Sequence, residues 1–224
     1  MNSELRKRII TSIFLITVTI ASILINKQIF VIFLSLILFQ CYKEWVNINH
    51  KYFLKKKYNE TDKYFLIKFI GIIYLIFVFF TALSLRGDNG TYLIFILLIC
   101  AFSDIGGFFI GKIIGGKKLT KISPNKTISG SAGSFIFSII PILIFDIENL
   151  IFLNYKITLN AIFFCLTLSL VCQIGDLIIS FFKRLNKVKN TGNILPGHGG
   201  ILDRIDGIIF CIPVVYLLKI TELF

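Results

Sequence analysis

Seven apolar runs alternate with short polar segments along the chain, at roughly 9–25, 29–46, 67–85, 91–111, 131–146, 157–182 and 201–221. Each is long enough, or nearly so, to cross a bilayer core of ~30 Å, which takes ~20 helical residues. The runs are crowded with Phe and Ile and have no polar face. This pattern predicts an all-α, polytopic integral membrane protein of about seven transmembrane helices. The first run is short and only Asn26–Gln28 separates it from the second, which predicts a tight helical hairpin. The fifth run contains Pro141, which a membrane helix tolerates where neighbours satisfy the freed carbonyl. The segment 147–155 after it is expected in the interface. Arg6–Arg8 form a basic leader with no small-residue cleavage site after the run, so the first run reads as a retained span.

Composition sharpens this. The 224 residues are 56% hydrophobic and 16% charged, with a mean hydropathy of +0.84, against about 25% charge in soluble domains. The net charge of +12 raises the question of nucleic acid. The basic residues, however, gather in short segments between apolar runs, and no basic face carries interleaved aromatics outside a span, which excludes a nucleic-acid partner. With the N-terminus in the cytoplasm, only Lys27, Arg86, Lys156 and Lys219 of the 24 basic residues fall outside. That asymmetry predicts N-in, C-out and seven crossings. The five cysteines all lie in apolar runs, without CxxC or Cys/His metal spacing, and read as small packing residues.

Three features break the apolar pattern, all at cytoplasmic ends in this topology. Ser103–Lys112, SDIGGFFIGK, places Asp104 within the fourth run, at ~2.5–3.5 kcal/mol on insertion scales. Asp104 is either a helix-packing hydrogen-bond group or part of a site. Gly107 and Gly111 make a GxxxG step that favours close helix packing. GGFFIGKI resembles a P-loop, but Ile113 replaces the metal-binding hydroxyl and no strand precedes it. The second feature is the loop GGKKLTKISPNKTISGS, Gly115–Ser131. Its lysines, hydroxyls and glycines suit either a phosphate or anionic lipid.

The third feature is QIGDLIISFFKR, Gln173–Arg184, with PGHGGILDRIDG, Pro196–Gly207. Asp176, Ser180 and Lys183 are spaced i, i+4, i+7 and form one helical stripe. Asp176 lies ~10 Å deeper than Lys183 at 1.5 Å per residue. Asp203 and Asp206, at i, i+3, share a face on the next run, so three carboxylates are expected to converge at similar depth. Unpaired, they would repel. Either a divalent cation, for which Mg²⁺ suits carboxylate oxygens, or a structural network with Lys183, Arg184 and Arg204 resolves the conflict. Gly197, Gly199 and Gly200 allow close backbone approach to a ligand, and His198 either fits a turn or donates to a phosphate. Carboxylates in lipid, a basic rim and a Gly-rich turn together suggest a cytoplasm-facing site that binds phosphates through metal, for a lipid headgroup and a soluble polyphosphate.

In SFFKRLNKVKNTGNILPGHGGILDRID (Ser180–Asp206), the upstream GDL (Gly175–Leu177) and the SD…G…KISPxKT elements (Ser103–Thr127), the chain resembles the phosphatidate cytidylyltransferases, or CDP-diacylglycerol synthases. The resemblance covers roughly residues 100–224; before that it is one of hydrophobic spans only. Asn190 stands where the family has Asp, and Ile128-Ser129 where it commonly has Trp and Glu or Gln.

The resemblance implies cytidylyl transfer: CTP and phosphatidate give CDP-diacylglycerol and pyrophosphate, in phospholipid biosynthesis. Mg²⁺, as one ion or two, is the implied cofactor. Carried onto matching positions, Asp176 and Asp203 become the first metal ligands and Asp206 a further ligand or support. Ser180 and Lys183 would hold a lipid or nucleotide phosphate. Lys126, with Ser123 and Thr127, would grip the triphosphate. Arg204 and His198 would stabilise charge on the α-phosphate or the leaving pyrophosphate, and Arg184, Gly199, Gly200 and Asp104 complete the substrate-binding set. The implied protein is one membrane domain over 1–224: N-terminal spans over 1–100, then catalytic spans over 101–224 with cytoplasmic loops 112–130 and 183–200. It is a multi-pass protein of the cell membrane, its site facing the cytoplasm, in contact with membrane lipids and expected as a homodimer.

A CTP-dependent lipid kinase acting on a polyprenol-type alcohol is the alternative. It would need a base for the alcohol, and the Gly-rich turn offers no second carboxylate for that role. The CDP-alcohol phosphotransferase pattern fails at IIFC after Gly207. A transporter is disfavoured because the charges cluster at one face and no inverted repeat is visible.

Overall fold

The computed structural model describes residues 3–55, 61–87, 89–146, 159–197 and 199–221. Among these residues all regular elements are helices. They are α1 (Ser3–Ile25), α2 (Lys27–Lys55), α3 (Thr61–Arg86), α4 (Thr91–Ile114), α5 (Ile128–Phe137), α6 (Ile140–Asp146), α7 (Leu159–Leu185), α8 (Leu202–Ile205) and α9 (Ile208–Ile220). The expected interfacial segment 147–155 lies outside the described residues.

Five helices are long and apolar enough to cross a bilayer: Arg8–Ile25, Lys27–His50, Tyr64–Arg86, Thr91–Ile114 and Leu159–Leu185. Their outward faces are oily: Ile13, Phe14, Phe69 and Phe80 are each at least 60% exposed in the isolated chain. Side chains of this kind belong against lipid rather than water. The fifth and seventh apolar runs are built differently. The fifth splits into α5 and α6 at Ser138–Ile139. There the Ser138 hydroxyl donates to Phe135 O at 2.7 Å, a local bond that competes with helix continuation. Pro141 is therefore no mid-helix kink. It lies in the first turn of α6, where its missing N–H costs little. The seventh run opens with the four-residue α8 and continues as the 13-residue α9. Asp203 lies in α8 and Asp206 is its C-cap. Neither carboxylate is in α9, the apolar helix that follows.

The chain gathers into two compact units, Met1–Gly90 with Ile179–Asp206, and Thr91–Ile178 with Gly207–Phe224. In the first unit α1 and α2 form the expected hairpin, with Asn26 as its only linker. Asn26 Oδ1 accepts from Gln28 N at 2.9 Å and caps α2. The C-terminal end of α2, the N-terminal part of α3 and the end of α7 meet at one end of this unit. Trp45 Nε1 donates to Ile67 O at 3.2 Å, and the Trp45 and Phe182 rings meet edge-on at 4.6 Å. Thr11 of α1 reaches Pro196 O at 3.5 Å at the same end.

In the second unit α4 and α5 are in backbone contact. A Cβ on Gly106 would meet Gly133 O at 2.5 Å, and one on Gly133 would meet Gly106 O at 2.7 Å. Gly107 and Gly111, the GxxxG step, face Ser134 and Gly130 of α5. The step serves packing within the chain and lends nothing to the expected homodimer. Phe95 stacks on Phe164 at 6.1 Å and Ser103 Oγ bonds Ser169 Oγ at 2.8 Å, so α4 and α7 run in the same direction. α9 runs opposite to both, with Cys211 Sγ near Leu168 O and Lys219 over the Tyr92 ring.

Candidate active site

The signature loop 186–201 belongs to the first unit and is organised around two carboxylates. Asp203, at the start of α8, holds the loop to itself. Its Oδ2 accepts from Thr191 N at 2.7 Å, Thr191 Oγ1 at 3.0 Å and Gly200 N at 3.1 Å. Its Oδ1 accepts from Lys183 Nζ at 2.8 Å. Both side chains of this ion pair are buried, at 11% and 6% exposure. Lys183 ends the predicted stripe on α7, so the last turn of α7 and the first turn of α8 are joined across the loop by one salt bridge.

The second carboxylate is Glu44 of α2, and it was not among the expected site residues. It is 2% exposed. Oε2 accepts from Thr191 Oγ1 at 2.7 Å and Leu202 N at 3.0 Å. Oε1 accepts from Ile201 N at 3.0 Å and, on its own helix, from Gln40 Nε2 at 3.2 Å. Glu44 thus satisfies backbone donors at the entry to α8 that no residue in the loop supplies. Gly200 is where this requires glycine: a Cβ there would collide with Thr191 Oγ1 and Glu44 Oε2. Gly199 is at φ +91°, and a Cβ there would stand 3.0 Å from Asp203 Oδ2. Gly199 and Gly200, two of the three glycines expected to admit a ligand, thus lie against these carboxylates, while Gly197 faces Arg8. Asn190 lies against Gly199.

In the second unit the loop 115–127 closes on itself. Leu119 N donates to Lys126 O at 2.8 Å and Ile128 N to Lys117 O at 3.0 Å. Thr127 is the N-cap of α5, accepting from Gly130 N at 3.0 Å. It also bonds Ser129 Oγ at 3.0 Å, and Ser129 reaches Gly115 O. The Thr127 hydroxyl is thus committed to local structure. Ser123 is half-buried; its N–H donates to Thr120 Oγ1 at 3.2 Å. Lys126 forms an ion pair with Asp176 of α7, so an expected triphosphate group and an expected metal ligand neutralise each other. Asp104 is exposed, while Ser103 beside it is fully buried against Ser169. A shallow depression lined by Lys118, Leu119, Thr120, Lys121 and Pro124 lies on this loop.

Of the remaining expected residues, Ser180 is buried, Asp206 is half-buried, and Arg184 and Arg204 are exposed. His198 lies outside the described residues. The carboxylate convergence expected from sequence would draw on both units, with Asp176 in one and Asp203 and Asp206 in the other. The fit to Mg²⁺ can be tested at Asp203. Its oxygens have the right hardness, but Oδ2 already accepts three bonds. Only Oδ1, which accepts one bond, has capacity for a cation, so Asp203 fits as a one-oxygen ligand.

The Cytidylyltransferase family profile matches residues 51–221. Among curated relatives, the chain is 40% identical over 129 residues to the phosphatidate cytidylyltransferase of Bacillus subtilis (strain 168), covering 57% of this chain and 47% of the relative. It is 36% identical over 168 residues to that of Staphylococcus haemolyticus (strain JCSC1435), covering 74% and 62%. It is 36% identical over 170 residues to that of Staphylococcus aureus (strain COL), covering 75% and 63%. The chain spans about half to two thirds of the length of these relatives. The matched region takes in the loop gathered on Asp203, the Lys126–Asp176 pair and the helices that carry them, and on this ground the chain belongs to the cytidylyltransferase family.

Proposed function

We propose that the protein is a phosphatidate cytidylyltransferase: the phosphatidate phosphate attacks the α-phosphorus of CTP, CDP-diacylglycerol forms and pyrophosphate leaves. The observation that carries this reading is the signature loop closed on Asp203 and Lys183 at the end of apolar helices, where a lipid headgroup and a soluble nucleotide can both reach. The attacking group is already an anion, so no strong base is needed. The difficulty is bringing two polyanions together, and positioning and charge neutralisation are what this chemistry asks of a protein.

The placement of the side chains supports a role for each. Lys183, held by Asp203, keeps a positive charge at the foot of the loop, beside Ser180 one turn earlier on α7. Arg184 and Arg204 are exposed next to them and serve incoming phosphates and leaving pyrophosphate. Lys126, paired with Asp176, supplies the second unit's cation to the triphosphate, with Ser123 nearby in sequence. In the first unit Asp203, through Oδ1, would hold Mg²⁺ with Asp206 in support; in the second unit the candidate ligand is Asp176. When bound, Mg²⁺ supplies charge neutralisation and polarises phosphoryl oxygens. The parallel course of α4 and α7 supports an odd number of crossings between them, as a seven-crossing arrangement requires; the N-in sense rests on the basic asymmetry of the loops.

The test uses purified protein in detergent with phosphatidate, Mg²⁺ and CTP labelled at the α- or the γ-phosphorus. Label entering lipid from the α position alone is the expected result. Label from the γ position alone would mean a lipid kinase and overturn the proposal.

A further inference from the structure

Three of the five cysteines converge inside the second unit. Cys100 comes from α4, Cys172 from α7 and Cys211 from α9, and they are 2%, 3% and 0% exposed. The Sγ atoms of Cys100 and Cys211 are 3.6 Å apart, and all three sulfurs lie within 4.8 Å of one another. Among the described residues no other group of His, Cys, Asp and Glu side chains gathers its ligand atoms this closely. The space is shaped for sulfur: Gly207 faces Cys172, and a Cβ there would collide with its Sγ.

The dimensions separate the possible chemistries. Three sulfurs each ~2.3 Å from one metal, at tetrahedral to trigonal angles, are about 3.8–4.0 Å apart. The Cys100–Cys211 separation of 3.6 Å is close to that value and no pair exceeds 4.8 Å, so a cation would ask only for small shifts of the sulfurs. A disulfide needs sulfurs at about 2.05 Å, much closer than the nearest pair. The donor set is all sulfur, which selects a soft cation and rejects Mg²⁺.

We propose that Cys100, Cys172 and Cys211 form a buried three-sulfur site for a soft, thiophilic d10 divalent cation of the zinc and cadmium class. On binding, three metal–sulfur bonds form, two S–H bonds break with their protons released to solvent, and the third sulfur remains a thiol. The complex is then electrically neutral, which an apolar interior requires. The site is distinct in chemistry from any Mg²⁺ centre and does not rest on the proposed activity. It ties together α4, α7 and α9. Cys100 is four residues before Asp104 and Cys172 four before Asp176, so on each helix the thiol lies one turn along the same face from a carboxylate.

The experiment titrates the reduced full chain in detergent with Cd²⁺, reading thiolate-to-cadmium absorption and metal retained after desalting. One Cd²⁺ per chain is expected. Replacing Cys100, Cys172 or Cys211 singly by Ser should abolish retention, and the C41S/C165S variant should bind as the wild type does. X-ray absorption at the cadmium edge on the wild-type complex, which needs no variant to fold, should show three sulfur neighbours. A first shell of oxygen or nitrogen, no retained metal, or unchanged binding in C172S would overturn the proposal.

Discussion

Replacing Glu44 by alanine would leave two donors from another element, Ile201 N and Leu202 N, without an acceptor, while the Thr191 hydroxyl keeps Asp203 Oδ2 at 3.0 Å. An unsatisfied buried donor costs ~1–3 kcal/mol. Water entering the space left by the side chain relieves part of that, so about 1.5 kcal/mol applies to each, and the two donors give about 3 kcal/mol. If the loop opens locally, that figure is about a 160-fold shift in its opening equilibrium. Glu44→Gln is milder yet still costly. The amide keeps one oxygen, but its NH₂ must face either Ile201 N–H or Leu202 N–H, because each carboxylate oxygen accepts from one of them. One lost charge-assisted bond of about 2 kcal/mol corresponds to about 30-fold. The assay is hydrogen exchange of the amides of Thr191, Ile201 and Leu202 in a membrane mimic, with α4 and α5 as internal reference. Protection should fall in the order wild type, Glu44→Gln, Glu44→Ala at the loop, with little change at the reference helices, and turnover should follow the same order. Loop amides in Glu44→Ala that exchange as slowly as in the wild type would refute the reasoning.

Asp203→Asn strands Lys183, and removing one partner of a buried pair costs ~3–5 kcal/mol; cytidylyl transfer should fall by at least 100-fold (about 2.7 kcal/mol), read with labelled CTP. Gly133→Leu forces a side chain against Gly106 O, and overpacking of ~1–3 kcal/mol should lower the thermal midpoint. Thr127→Val removes the α5 cap at about 1 kcal/mol, while Thr127→Ser keeps it; the two midpoints should differ accordingly. Chelation by EDTA should stop turnover and added Mg²⁺ restore it.

Five of the seven apolar runs became single long helices, because a continuous apolar run of that length has one stable solution in a bilayer; α1, α2 and α3 run on past the apolar stretch at their polar ends, α2 as far as Lys55. The fifth and seventh runs were misread in detail because hydropathy does not register Ser138 diverting a helix or Asp203 serving a loop. Within the site, the Lys183 stripe and the Asp203 motif were legible because their spacing is local. Glu44 was not. It is a carboxylate within the 29–46 run, flanked by Lys43 and Trp45, and it resembles an interfacial residue at the end of a span. Its partners lie in a loop that sequence proximity does not suggest. The signal that could have found it is the one that flagged Asp104, a carboxylate inside an apolar run. The sequence suggests separate roles for Asp176 and Lys126, but their pairing with one another is a property of packing that spacing does not carry.

The tie between Glu44 and the loop also orders the birth of the protein. Its backbone partners are 157 and 158 residues further along the chain. At ~5–20 residues per second, a ribosome needs roughly 8–30 s to reach them after Glu44 itself is made. Through that interval α2 carries a carboxylate near its end with Gln40, one turn back, as the partner its own helix provides. Every nascent chain therefore passes through a half-assembled state until the ribosome has made the donors that Glu44 receives.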